Sequence, residues 1–333
     1  LIMATYKEIR GTQIEAVASD PSNPVEGQVW YNTTSNALKG HALTAAGSWA
    51  TGTSMNTARG TAAGMGTTSA GIVVGGQNAG SKENKTEQYN GSNWTEVGDI
   101  NDARSNLAGA GTSTAAVVCA GSTPSYTNNT EMWAGSSWTE VNNMNTVRAS
   151  LSGVGASNTA ALAYGGWGPG AKDETESWNG TNWTEVNDLN TARSAAGCFG
   201  IQGAAIMAGG EAPPGNVAIT ELWNGTNWTE VNDLNAAKRE GAGLGISTSG
   251  LFAGGTTDPG NVATNEEWNG TNWTEGNDIN NARYQLNNTG IGTTSSGLIA
   301  GGKPTYGPPP ANTAIVEEWT GAGAPVTRTF TDS

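Results

Sequence analysis

The chain has two cysteines, one histidine and only 15 lysines and arginines among 333 residues. Each scarcity closes off a class of chemistry. Cys119 and Cys198 fall on different strand types in different repeats, so a disulfide between them is not expected. Cys119 holds the place of Val74 one repeat earlier, so both cysteines read as small buried apolar residues that say little about redox compartment. With His41 alone, a two-histidine metal site cannot be assembled within one chain, and serine-histidine catalysis has one residue to draw on. His41 reads as a surface strand residue. The basic residues are outnumbered by 29 acids, giving a formal net charge of −14 and a pI near 4.4. That balance argues against phosphate backbones and anionic membrane surfaces, and it keeps a repeat protein soluble. No run is long and apolar enough for a transmembrane span, and the first 20 residues lack the apolar segment of a secretory leader. Met3-Ala4-Thr5 reads as the natural start, with Leu1 and Ile2 an upstream extension, and release by lysis is the expectation. Helical periodicity is missing as well.

What the chain has in plenty is glycine, 49 residues, and a repeated tryptophan unit. Trp178 to Arg193 returns almost letter for letter. Its Asn-Gly pair between two aromatic-bearing runs is a hairpin signal, because both residues tolerate the positive φ of a tight turn. Trp178 and Trp183 are therefore expected on paired strands. The second tryptophan recurs at Trp49, Trp94, Trp138, Trp183, Trp228 and Trp273, at intervals of 45, 44, 45, 45 and 45 residues. A period of that size with four short apolar runs per copy predicts one four-stranded propeller blade per repeat. The apolar runs end at Gly75-Gly76, Ala120-Gly121, Gly165-Gly166, Gly209-Gly210, Gly254-Gly255 and Gly301-Gly302, which predicts six blades. Runs such as Ser194-Ala195-Ala196-Gly197 are expected to supply the small side chains of the crowded innermost strands.

The two ends of the repeat region are complementary. The last repeat has Trp319 but Ala324 where the second tryptophan is due, and Trp49 has no first partner. A strand around Trp49 is therefore expected to complete the last blade and close the ring, removing two open edges. The alternative puts Val326 to Phe330 in that slot. Domains are expected at 1–46, an N-terminal docking segment with a hairpin of Gln28–Asn32 and Ala37–Ala42; at 47–322, the propeller; and at 323–333, a C-terminal tail.

A cation recurs at Arg59, Arg104, Arg148, Arg193, Lys238 and Arg283, and a carboxylate at Glu87, Glu131, Glu176, Glu221, Glu266 and Glu317. Six against six predicts a repeated, partly buried ion pair that fixes strand register. The tryptophans read as structural, Trp167 excepted. Asp188 with Asn187 and Asn190 lacks the carboxylate density of a calcium loop, so these residues read as turn formers, and no metal or other cofactor is expected.

Over about residues 47–322 the Gly-Gly after an apolar run, the Glu-x-aromatic strand, the following Trp strand and the Asn-x-Ala-Arg motif resemble kelch-type propellers. Ala120, which replaces a glycine, and Tyr89, which replaces a Trp, depart from that pattern. The resemblance implies the fold and leaves function open. Some kelch-type propellers are copper oxidases, but their histidine ligands have no counterpart in the repeats. The Asn-Gly-Thr-Asn-Trp hairpin is also similar to the Asp-box turns of sialidase-like propellers, without their aspartate and serine. The leader from Pro24 to Thr34 resembles short segments of tail-fibre and other virion proteins of tailed bacteriophages.

The loops after Gly-Gly differ between otherwise similar repeats: Gln77–Ala79, Ser122–Asn129, Trp167–Glu174, Glu211–Ile219, Thr256–Thr264 and Lys303–Ile315. They are expected on one face, with Tyr126, Trp167, Tyr306 and Lys303 as binding residues. The resulting expectation is a non-enzymatic structural or adhesion protein of a phage virion, tail fibre-like or decorating. It would be present in several copies, joined to other virion proteins through residues 1–46, and would bind a host glycan or protein. A bacterial surface or secreted carbohydrate-binding propeller is the alternative, and a propeller enzyme the third reading. No nucleic acid or membrane insertion is expected.

Overall fold

The computed structural model describes residues 14–22, 27–43, 46–258, 260–304, 311–323 and 325–330. The chain is all-β, with no helix among the described residues, and is consistent with a β-propeller-like fold. It divides into two compact units, Ser48–Thr320 on one hand and Leu1–Gly47 with Gly321–Ser333 on the other.

Among the described residues the larger unit holds two two-stranded sheets, Gln77–Asn78 with Ser81–Lys82 and Glu211–Ala212 with Gly215–Asn216, and six four-stranded antiparallel ones. The first holds Ala63–Thr67, Ala70–Val74, Thr86–Tyr89 and Trp94–Glu96; the second Ala108–Gly111, Ala116–Ser122, Tyr126–Trp133 and Trp138–Val141. The third holds Ser152–Ser157, Ala160–Tyr164, Thr175–Trp178 and Trp183–Val186; the fourth Gly197–Ile201, Ala204–Ala208, Thr220–Trp223 and Trp228–Val231. The fifth holds Ala242–Ile246, Ser249–Ala253, Asn265–Trp268 and Trp273–Gly276. The sixth combines Gly290–Gly292, Ser296–Ala300 and Val316–Thr320 with Ser48–Thr51 from the start of the unit.

Local chemistry makes the outer hairpins. Trp178 pairs with Trp183, and between them Asn179 Oδ1 accepts from the N–H groups of Thr181 and Asn182, each at 2.9 Å, while Gly180 takes φ +90°. This is an Asx turn, with glycine at the position that takes left-handed backbone. Packing then joins sheet to sheet: Met65, Ile72 and Val74 of the first form one apolar cluster with Val118, Trp133 and Trp138 of the second. The core is thus a series of interfaces between neighbouring sheets.

The first strands approach so closely that side chains do not fit. A Cβ on Gly109 would stand 2.8 Å from Ala63 Cβ, and one on Gly153 would stand 2.7 Å from Ala108 Cβ. First strands from all six sheets line one cavity of about 120 Å³, at Gly64, Gly109, Gly153, Cys198, Gly243 and Gly290 among others. A backbone relay runs beside it. Asn106 N donates to Thr61 O, Ser150 to Asn106, Ala195 to Ser150, Glu240 to Ala195 and Leu286 to Glu240, and Thr61 N donates to Gln285 O, at 2.7 to 2.9 Å.

Three sequence expectations need correction. Of Ser194–Gly197 only Gly197 lies on the innermost strand, because Ala195 takes φ +54° and breaks the extended backbone. Val326–Phe330 does not enter the sixth sheet: Trp49 pairs with Trp319, and Pro325–Phe330 pairs antiparallel with Ala37–Leu43. Residues 325–330 are consequently not a separate tail but the fourth strand of the smaller unit.

That unit has the order Glu15–Val17, Val29–Asn32, Ala37–Leu43, Pro325–Phe330, with the first pair parallel and the others antiparallel. It exceeds the expected hairpin. Asp20 ties it together, accepting from Trp30 Nε1 at 3.0 Å, Asn32 Nδ2 at 2.7 Å and Lys39 Nζ at 2.8 Å. His41 lies half-buried on its third strand.

Candidate functional site

The twelve repeated charges pair one to one. Arg59–Glu87 and Arg104–Glu131 are each 2.9 Å apart, Lys238–Glu266 3.2 Å and Arg148–Glu176 3.3 Å; Arg193–Glu221 and Arg283–Glu317 complete the set. All are buried. Each glutamate also holds the asparagine that opens the repeat motif, accepting from the N–H of Asn56, Asn101, Asn145, Asn190, Asn235 or Asn280 at 2.6 to 2.8 Å. Burial pulls the cation pKa values down, and the partner glutamate opposes that. With no solvent-facing atoms to offer a ligand, these pairs fasten the scaffold and position the backbone immediately C-terminal to each cation.

The repeats diverge at that backbone. The residue after each cation bridges to the residue after Gly-Gly: Gly60 to Gln77, Ser105 to Ser122, Ala149 to Trp167, Ser194 to Glu211, Arg239 to Thr256 and Tyr284 to Lys303. The next residue is the relay position, Thr61, Asn106, Ser150, Ala195, Glu240 or Gln285, with φ between 51° and 60°. Left-handed backbone costs a residue with a Cβ on the order of 1 kcal/mol, and none of the six is glycine. Three sets of equivalent positions thus carry different chemistry on a scaffold whose hairpins hardly change.

Of the four expected binding residues, the structure brings two together. Tyr126, 43% exposed, and half-buried Trp167 line one cavity of about 260 Å³ with Asn106, Ser150, Glu211 and Glu240. Lys303 lines another, of about 550 Å³, with Gln77, Gln285 and Asn312, and its ammonium lies 5.5 Å from the centre of the Tyr284 ring. Tyr306 falls outside the described residues. Arg239, and Glu240 with the other relay residues, escaped the sequence reading as binding positions. The faint signal was that the two residues after each repeated cation vary more than the Asn-x-(Ala/Val)-(Arg/Lys) motif before them.

The Trp167 cavity has an acidic rim. Arg239 lies 3.4 Å from Glu211, 3.0 Å from Asp258 and 3.7 Å from Glu240, and it also donates to Asn216 Oδ1 at 2.8 Å. Burial raises the Glu240 pKa, with Arg239 opposing, and Glu240 Oε2 has no hydrogen-bond partner. The arrangement offers hydrogen bonds and aromatic surface. Among the described residues no three His, Cys, Asp or Glu side chains are grouped to hold a metal ion, and no helix is long and apolar enough to cross a membrane. No protein-family model matches the chain, and no curated protein matches it.

Proposed function

We propose that the chain is a six-bladed, kelch-like propeller, closed by the strand carrying Trp49, that acts without catalysis as a recognition or decoration protein of a bacteriophage particle. The smaller unit attaches it to other virion proteins, in several copies, and the face bearing the variable positions binds a host-surface glycan or protein. The cyclic hydrogen-bond relay and the cavity shared by all six sheets support the ring. One observation carries the binding role: chemically varied, conformationally costly residues occupy equivalent positions on one part of an otherwise repeating scaffold. The alternative, a bacterial surface or secreted carbohydrate-binding propeller, draws on the aromatic cavity at Tyr126 and Trp167.

The test is binding of labelled full-length protein to candidate host cells, with intact particles as competitor and a Trp167→Ala, Lys303→Glu variant as control. Saturable binding that particles displace and the variant loses supports recognition through this face. Attachment of the protein to particles without any cell binding points instead to decoration.

A further inference from the structure

The Trp167 cavity differs in kind from the rest of the variable face. At about 260 Å³ it lies below the ~300 to 1,000 Å³ usual for drug-sized ligands, so it suits one small ring better than an extended peptide. Tyr126 and Trp167 give it apolar ring surface with a polar edge, Ser150 a hydroxyl, Asn106 an amide, and Glu211 and Glu240 carboxylates. Vicinal hydroxyls donate to carboxylate oxygens, and the C–H face of a pyranose lies against an aromatic ring. Glu240 lines the cavity, and one of its two carboxyl oxygens, Oε2, has no hydrogen-bond partner. The nearby cation gives an anion little, because Arg239 already faces Glu211, Glu240 and Asp258. Sialylated and phosphorylated sugars are disfavoured.

We infer that the cavity between Trp167 and Glu240 is a subsite for a neutral pyranose. The inference rests on the recognition role proposed above and names its ligand class. Glu240 accepts from hydroxyls, and Trp167 supplies the stacking surface.

The experiment is saturation-transfer NMR on full-length protein with glucose, galactose, mannose and N-acetylglucosamine. Trp167→Ala and Glu240→Gln are compared with a remote control, Gln88→Ala, after matching their melting temperatures. The expected result is transfer to at least one of these sugars, weakened about tenfold or more in both site variants and unchanged in the control. Absence of transfer from all four, undiminished transfer in both site variants, or displacement by a lysine-containing peptide overturns the inference. Periodate treatment of cells separates it from the recognition role. Cell binding that survives oxidation keeps recognition and removes the sugar subsite; sugar binding without cell binding does the reverse.

Discussion

Trp49 and Trp319 face each other in register, ring centroids 5.2 Å apart, although they stand at opposite ends of the larger unit. Trp49 is 7% exposed and packs in one cluster with Leu244 and Leu251 of the fifth sheet, Ile279 just beyond that sheet, and Ile299 and Trp319 of the sixth. Trp49→Ala is expected to cost about 3 to 5 kcal/mol in chemical denaturation, in line with other buried tryptophan truncations. A loss under about 1 kcal/mol would show that the first strand adds little to the unit.

The neighbouring fifth sheet breaks a rule that four sheet junctions keep. Trp138, Trp183, Trp228 and Trp273 each donate their indole N–H to a threonine hydroxyl of the preceding sheet, Thr86, Thr130, Thr175 and Thr220, at 3.0 to 3.1 Å. Where Trp49 requires that acceptor, the chain has Asn265, and Trp49 Nε1 and both Asn265 amide atoms lack partners. Asn265 pairs with Gly276, which stands where four other repeats have valine. A Cβ there would come within 2.9 Å of Asn265 Nδ2 and crowd Glu267 Oε1. Gly276→Val alone should therefore destabilise, whereas Asn265→Thr with Gly276→Val should stabilise by about 1 to 2 kcal/mol. A double-mutant cycle by urea denaturation measures the coupling, and additive effects would contradict it.

This substitution also shows where sequence reading stops. The hairpins were legible because an Asn-Gly turn and two tryptophans are local instructions, and Trp49 found its place because one tryptophan was missing after Trp319. Nothing local says that a threonine in one repeat serves an indole in the next, so the joint change at 265 and 276 carried no visible meaning. Glu15–Val17 was likewise illegible: three residues in a parallel pairing leave no alternation to count. At the candidate site, the loops after Gly-Gly announced themselves by variation. Glu240 did not, because its neighbour Arg239 adjoins Lys238 and merges with the repeated cation, and only the structure separates the buried Lys238 from the half-buried Arg239 and Glu240.

The buried pairs invite a test of what they supply. Arg193 donates to Glu221, and also to the carbonyls of Thr191, Met207 and Gly209. Arg193→Met should cost about 3 to 5 kcal/mol by leaving Glu221 buried without its cation. Adding Glu221→Leu should recover only part of this, since the carbonyls and Asn190 N–H still lack partners. Full recovery, with an unchanged denaturant slope, would show the pair to be dispensable.

Asn288, two residues before the sixth sheet's first strand, bonds to residues at or beside the first strands of four other sheets. Its Nδ2 donates to Leu107 O at 3.2 Å and Leu151 O at 2.7 Å, its Oδ1 accepts from Cys198 Sγ at 3.0 Å, and its carbonyl accepts from Gly64 N at 2.6 Å. Asn288→Ala should cost about 2 to 4 kcal/mol by leaving two carbonyls without donors. Cys198 and Cys119 should report the same event. Burial pushes their thiols up to about 11 and about 12, so at pH 8 the folded protein offers almost no thiolate. Titration with a chromogenic disulfide should find no reactive thiol in the native protein and two in denaturant, with faster reaction at low denaturant in Asn288→Ala. Rapid native labelling of either cysteine would count against this packing.

Acid should act first on the smaller unit, through Asp20. Hydrogen bonds from Lys39, then from Asn32 and Trp30, lower its carboxyl from the ordinary 3.8 to about 2. Between those values the unfolded chain binds the proton and the folded chain does not, so stability rises with pH across the window. The contribution is complete above the unfolded value and disappears as pH falls through the folded one. Protection factors for peptides covering residues 27–43, measured by hydrogen exchange at about pH 5 and about pH 2.5, should fall at the lower value while those of the larger unit's second strands hold. Asp20→Asn should show reduced protection already at the higher pH and little further change. Equal acid sensitivity in that variant would place the titrating group elsewhere.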